Sequence, residues 1–122
     1  MFTDIQLQQI FEKTKGHCHF CGDKLNFGRY GLKGRRKVQG TWEADHVIQK
    51  AKGGSKNHEN CLPACVKCNK LRWHRKGSDL IELIEIGIIG KREIKTGTKY
   101  GKIIKQKLLL RKQGNKKRRR TI

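Results

Sequence analysis

Long apolar runs, aromatic residues and acidic charge are all scarce in this chain. No stretch approaches the ~20 consecutive apolar residues that cross a bilayer, which excludes a membrane-spanning helix. The start, Met1-Phe2-Thr3-Asp4, has neither a basic opening nor an apolar run, so no signal peptide is predicted. The expected location is intracellular: cytoplasm or nucleoid, or the nucleus of a eukaryotic host. A hydrophobic content of 34% with 7% aromatics leaves a small core, and a chain this polar needs a further source of stability. A structural metal is a common one. Ten Asp and Glu against thirty Lys and Arg give a formal net charge of +20 over 122 residues. That excess favours nucleic acid as partner, with an anionic membrane the weaker option.

Cysteine is present in an informative pattern. Four of the five cysteines form two pairs, Cys18-His19-Phe20-Cys21 and Cys65-Val66-Lys67-Cys68. Two C-x-x-C pairs in an unexported chain read as metal ligands rather than disulfides. Thiolates bind zinc tetrahedrally, so Cys18, Cys21, Cys65 and Cys68 are the expected ligands of one structural zinc. A site closed by four thiolates has no open position, so this zinc is not expected to do chemistry. Cys61 is read as a small buried apolar residue. His17 and His19 flank the first pair and are alternative ligands.

The length predicts one domain with an extension: a zinc-stapled unit over 1–77, a helical extension over 78–113 and a basic tail over 114–122 that is disordered when free. Residues 3–15 read as a helix, with Thr3 and Gln6 as a capping box, Leu7, Ile10 and Phe11 on one face, and Gly16 as its end. Residues 26–40 hold four glycines and five basic residues and read as a flexible basic loop. Residues 41–48 read as a strand with Trp42, Ala44 and His46 on one side and Glu43, Asp45 and Val47 on the other. A loop over 50–59, a return strand around Leu62-Pro63 and a helix over 67–74 follow. Further on, a helical run over 80–86 is expected to break at Gly87 and Gly90, and a second amphipathic run spans 100–111.

Asp45-His46, Asn60 and Asn69 carry the chemistry. Phosphodiester cleavage needs a nucleophilic water, a base and a cation at the phosphate. His46 can be the base, since an imidazole has a neutral form available near pH 7. Asp45 and Asn69 can hold a cation and leave positions open for water and phosphate, which suits magnesium.

Asp45-His46, Gly53-Gly54, Asn60 and Cys65-x-x-Cys68-Asn69 with Arg72 together resemble the HNH endonucleases. The separations, 14 residues from His46 to Asn60 and 9 from Asn60 to Asn69, are similar to those in the HNH domain of RNA-guided CRISPR nucleases. The cysteine pairs resemble small HNH proteins with an added four-cysteine zinc. The resemblance covers roughly residues 5–76. It implies an α+β fold: a small ββα-metal core stapled by zinc, with an N-terminal helix and a helical basic C-terminal extension. It implies His46 as general base, Asn60 holding the loop between the strands, and catalytic magnesium or manganese on Asp45 and Asn69. The implied reaction leaves a 5′-phosphate and a 3′-hydroxyl on DNA, by nicking or by cutting both strands.

Glu43 is expected near the metal or as a solvated strand residue, and Arg72 at the scissile phosphate or as a surface cation. Trp42 and Trp73 are expected to cover the core. Lys33, Arg35, Arg36 and Lys37 form one basic cluster. Arg111 and Lys112 with Lys116, Lys117, Arg118, Arg119 and Arg120 form another. Both are read as DNA-backbone contacts that add salt-dependent, sequence-blind affinity. The expected partner is double-stranded DNA, with a homodimer possible because a two-strand cut needs two centres. The alternative is a zinc-knuckle nucleic-acid binder without catalysis, which has no need of the Asp45, His46, Asn60, Asn69 set.

Overall fold

A computed structural model of the chain describes residues 2–31, 38–48, 52–73 and 77–118. The first helix, α1 (Asp4–Glu12), starts where its sequence dictates. The Thr3 hydroxyl accepts from the Gln6 amide at 3.2 Å, and the Gln6 side chain accepts from the Thr3 amide at 3.0 Å. It is shorter than the 3–15 span expected, because Gly16 takes a positive φ of 76° and its amide returns to the Phe11 carbonyl at 3.0 Å. Leu7 and Ile10 are buried, and Phe11 packs beside them.

A two-stranded antiparallel sheet follows, β1 (Trp42–His46) against β2 (Cys61–Cys65), with Trp42 opposite Cys65 and His46 opposite Cys61. The proline is tolerated in β2 because the sheet has no third strand needing its missing N–H. The Pro63 carbonyl instead accepts from the His19 amide at 3.0 Å, fixing the first cysteine knuckle to the outer edge of β2. Helix α2 (Val66–Trp73) leaves directly from β2. The order β1, β2, α2 is a ββα unit within an α+β fold.

Alternation along β1 sends its side chains to two different neighbours. Trp42 is fully buried among the rings of Phe11, Phe27 and Tyr30, with centroids 4.8–6.1 Å away. Its indole N–H donates to the Phe27 carbonyl at 3.2 Å. Removing such a side chain from water stabilises the fold by roughly 1.5–3 kcal/mol. Glu43 and Asp45 face α2. The loop expected over 26–40 is ordered at its base: Phe27–Arg29 forms a 3-10 turn, and Arg29 donates to the Gln39 carbonyl at 2.6 Å. Lys33, Arg35, Arg36 and Lys37 lie outside the described residues.

The C-terminal part departs from expectation in two places. Helix α3 (Gly77–Thr96) runs unbroken through Gly87 and Gly90. A helix-interior glycine costs about 1 kcal/mol, which the flanking Leu and Ile residues tolerate. The helix stops instead at Gly97, with φ of 71°, where the Thr98 amide reaches the Glu93 carbonyl and the Gly97 amide the Ile94 carbonyl, a Schellman turn. Helix α4 (Lys99–Arg118) then folds back on α3. Gly101 sits so close to the Glu93 backbone that a Cβ there would collide with it. Because α4 continues to Arg118, residues 114–118 are helical rather than disordered. Arg119 and Arg120 lie outside the described residues.

Candidate functional site

The four knuckle cysteines converge. Their Sγ atoms all lie within 4.8 Å of one another, with Cys21 and Cys65 3.9 Å apart. A zinc tetrahedron with ~2.3 Å bonds has edges of about 3.8 Å, so the donors fit that ion. The first knuckle is a tight hairpin: the Cys18 amide bonds to the Asp23 carbonyl, the Gly22 amide to the Cys18 carbonyl, and Gly22 has a φ of 82°. Without a cation, four such thiols cannot all ionise. Burial, then neighbouring thiolates, pushes Cys21 up to about 12, while thiol donation from Cys65 and Cys68 holds Cys18 down. Cys61 is not among the four. It is fully buried in the core, and burial raises its thiol to about 11.

Beside the knuckle, α2 closes over a buried carboxylate. The Asp45 side chain has no solvent exposure. Trp73 Nε1 donates to its Oδ1 at 2.8 Å, Arg72 donates to Oδ2 at 2.5 Å, and His19 Nε2 lies 2.8 Å from the same oxygen. Burial alone pushes the Asp45 carboxyl up, but the hydrogen bonds from His19 and Trp73 and the Arg72 charge more than offset it, leaving it below its ordinary value. Arg72 also donates to the Val47 carbonyl at 2.7 Å and stacks 4.4 Å from the Trp73 ring centroid. In this arrangement Arg72 meets a carboxylate. Trp73 is partly exposed and serves the same carboxylate rather than covering the core. His19, weighed as a zinc ligand, is turned away from the thiolates. Nothing in the C-x-x-C spacing signals that contact, which joins residues 26 positions apart.

One turn before Arg72, Asn69 is buried. Its Nδ2 donates to Glu43 Oε2 at 3.0 Å, while its Oδ1 is buried with no hydrogen-bond partner among the described residues. An orphaned acceptor of this kind beside a carboxylate fits a cation. Asp45 fits the same ion less directly, because three donors already occupy it.

His46 ends β1, half-buried. Its Nε2 lies 3.3 Å from the Lys56 carbonyl. A carbonyl only accepts, so Nε2 carries a proton in this contact, and Nδ1 is the nitrogen that accepts whenever the ring is neutral. Asn60 secures the loop that supplies this carbonyl. Its Oδ1 accepts from the Ile48 amide at 3.1 Å, and its Nδ2 donates to the carbonyls of Ile48 at 3.0 Å and Ser55 at 2.8 Å. Lys13, the C-cap of α1, ties the end of the same loop, its Nζ within 3.1 Å of the His58, Glu59 and Cys61 carbonyls. No motif marks Lys13.

Residues 18–75 match the family described as HNH endonuclease. Over this stretch the chain is similar to the HNH endonucleases. The chain is also similar to YoqL of Bacillus subtilis (strain 168), whose name describes an SPbeta prophage-derived HNH endonuclease, at 33% identity over 67 residues. That match covers 55% of this chain and 27% of YoqL, so the chain spans about a quarter of this relative's length. No solved structure matches the chain significantly. The HNH match ends before α3, so α3 and α4 lie outside it. No helix among the described residues is long and apolar enough to cross a membrane.

The basic residues of α4 divide into two groups. Lys116 and Lys117 are exposed. Arg118 instead lies against the first knuckle, near Gly22, and donates to Asn115 Oδ1 at 3.0 Å. Asn115 in turn donates to the His19 and Phe20 carbonyls at 3.2 and 3.0 Å, and Arg111 to the Cys21 carbonyl at 3.1 Å. The last turns of α4 are therefore seated on the first cysteine knuckle.

Proposed function

We propose that the chain is a divalent-metal-dependent endonuclease that hydrolyses phosphodiester bonds of double-stranded DNA. The observation that carries this reading is the Lys56 carbonyl contact at His46, which engages Nε2 and makes Nδ1 the nitrogen assigned to the water. In the proposed reaction Nδ1 takes a proton from water as the water oxygen bonds to phosphorus. The bond to the 3′-oxygen breaks and that oxygen takes a proton from solvent, giving a 5′-phosphate and a 3′-hydroxyl. Asn60 acts by holding the loop that aims the imidazole.

Asp45 and Asn69, with Glu43 beside them, would hold magnesium or manganese, which would neutralise charge on the phosphate and on the leaving oxygen. For Asp45 to take part, Arg72 must release Oδ2. A DNA phosphate is a natural new partner for a guanidinium, so Arg72 is assigned to the phosphate in the complex and to Asp45 in the free protein. The unpartnered Asn69 oxygen favours this reading over a zinc-knuckle binder, which has no use for it. Zinc, held by the four cysteines, keeps the first knuckle, β2 and the start of α2 together and takes no part in the reaction. Lys116 and Lys117, with the basic residues outside the described segments, bind the DNA backbone. One such centre cuts one strand, so two chains form the unit that cuts both.

The direct test is conversion of supercoiled plasmid to nicked circle by the zinc-loaded protein. Cleavage is expected with added magnesium or manganese and not with neither. Failure with every divalent ion tried would leave only the binding reading.

A further inference from the structure

We infer that the exposed apolar side chains of α3 bind a second copy of this chain, with the two α3 helices antiparallel. This deepens the two-chain reading above by naming its surface.

Helix α3 buries none of its residues. Leu80, Leu83 and Ile88 are exposed, and Ile81, Ile84, Ile86 and Ile89 each keep more than half of their surface in water. Apolar side chains this dense on one helix mark a contact surface rather than a solvated one. Contact with α4 is made near the hairpin turn, where Gly90, Glu93 and Ile94 are partly covered while the preceding residues are not. A Cβ at Gly87 or Gly90 would meet nothing within 4 Å, so another helix can approach closely there.

Charge identifies the occupant. The first half of α3 carries Asp79, Glu82 and Glu85, and the second half Lys91, Arg92 and Lys95. The remaining acid, Glu93, turns into the hairpin and accepts from the Thr98 hydroxyl at 2.5 Å. Among the described residues, none of the other six makes an ion pair within the chain. An antiparallel copy sets the acidic half against the basic half twice over, by two-fold symmetry. A parallel copy would set like against like. DNA has no apolar face to offer, and the acidic half opposes an anionic bilayer.

The test is the mass in solution of the full-length, zinc-loaded chain by sedimentation equilibrium at micromolar concentration. A dimer is expected, and Ile84→Lys with Ile88→Lys should halve the mass while zinc content and helicity stay unchanged. Two further variants check that charge along α3 selects the partner. A chain with Glu82→Lys and Glu85→Lys, and a chain with Lys91→Glu, Arg92→Glu and Lys95→Glu, should each be monomeric alone and should pair when mixed. A monomeric wild type, a dimer that survives the Ile84 and Ile88 changes, or charge variants that fail to pair would overturn the assignment. Nicking by the monomeric variant would leave the nuclease reading intact. A dimer without any cleavage would remove that reading and keep this one.

Discussion

Arg72 and Asp45 form an ion pair across the contact between α2 and β1, with guanidinium NH1 2.5 Å from an oxygen of a carboxylate that has no solvent exposure. The pair links the expected cation ligand on the strand to the expected phosphate ligand on the helix. Whatever draws Arg72 away changes the charge available at Asp45. The same carboxylate is bonded to His19 of the first knuckle, so the four-cysteine cluster and the proposed catalytic face share one buried charge.

Asp45→Asn should therefore destabilise the protein as well as impair cleavage. Removing one member of a buried pair costs about 3–5 kcal/mol, and the lower end is expected because Arg72 is 24% exposed. Thermal unfolding of zinc-loaded wild type and variant measures it. The pH dependence has a definite sign. The Asp45 carboxyl lies below its ordinary value when folded, so its contribution is present above the unfolded value of about 3.9 and is lost as pH falls below that, toward the folded value. The stability gap between wild type and variant should be constant at neutral pH and close in acid. A gap that widens in acid would mean that the ion pair is not its source.

Zinc removal should unfold the knuckles rather than merely inactivate the protein. Metal analysis is expected to give about one zinc per folded chain, and its apparent contribution is of order 10–16 kcal/mol, comparable to the whole stability of a small domain. A chelator should abolish the cooperative thermal transition, and Cys65→Ser should mimic it. A washed, folded, zinc-free protein would contradict the staple.

Lys116→Ala with Lys117→Ala should weaken DNA binding and lower the slope of log affinity against log salt by roughly 0.9 per lost phosphate contact. These two substitutions are a cleaner probe than deleting the tail, because deletion also removes Asn115 and Arg118, which seat α4 on the knuckle. An unchanged slope would remove these lysines from the interface.

Legibility differed from element to element for physical reasons. The cap at Thr3, the stop at Gly16, the strand around Asp45-His46 and the cysteine pairs are local or periodic signals, and they are readable from neighbouring residues. The contacts of Asp45 were not readable. His19, Arg72 and Trp73 reach it from 26 to 28 positions away, and no spacing rule encodes that convergence. The unbroken course of α3 is not legible locally, because a helix-interior glycine costs only about 1 kcal/mol and does not by itself decide between a break and a continuous helix. The helical state of residues 114–118 was missed because their composition is that of a free basic tail, while Asn115 and Arg118 dock on backbone carbonyls and side chains that only the fold brings near.

His46→Ala bears most directly on the central claim. The ring stands at the end of β1, its Nε2 bonded to a loop carbonyl and none of it in the main core cluster. Its loss should leave the melting temperature, zinc content and DNA affinity close to wild type while plasmid nicking falls by at least ~100-fold, the scale of a lost general base. A folded, zinc-loaded His46→Ala protein that nicks at the wild-type rate would contradict the account.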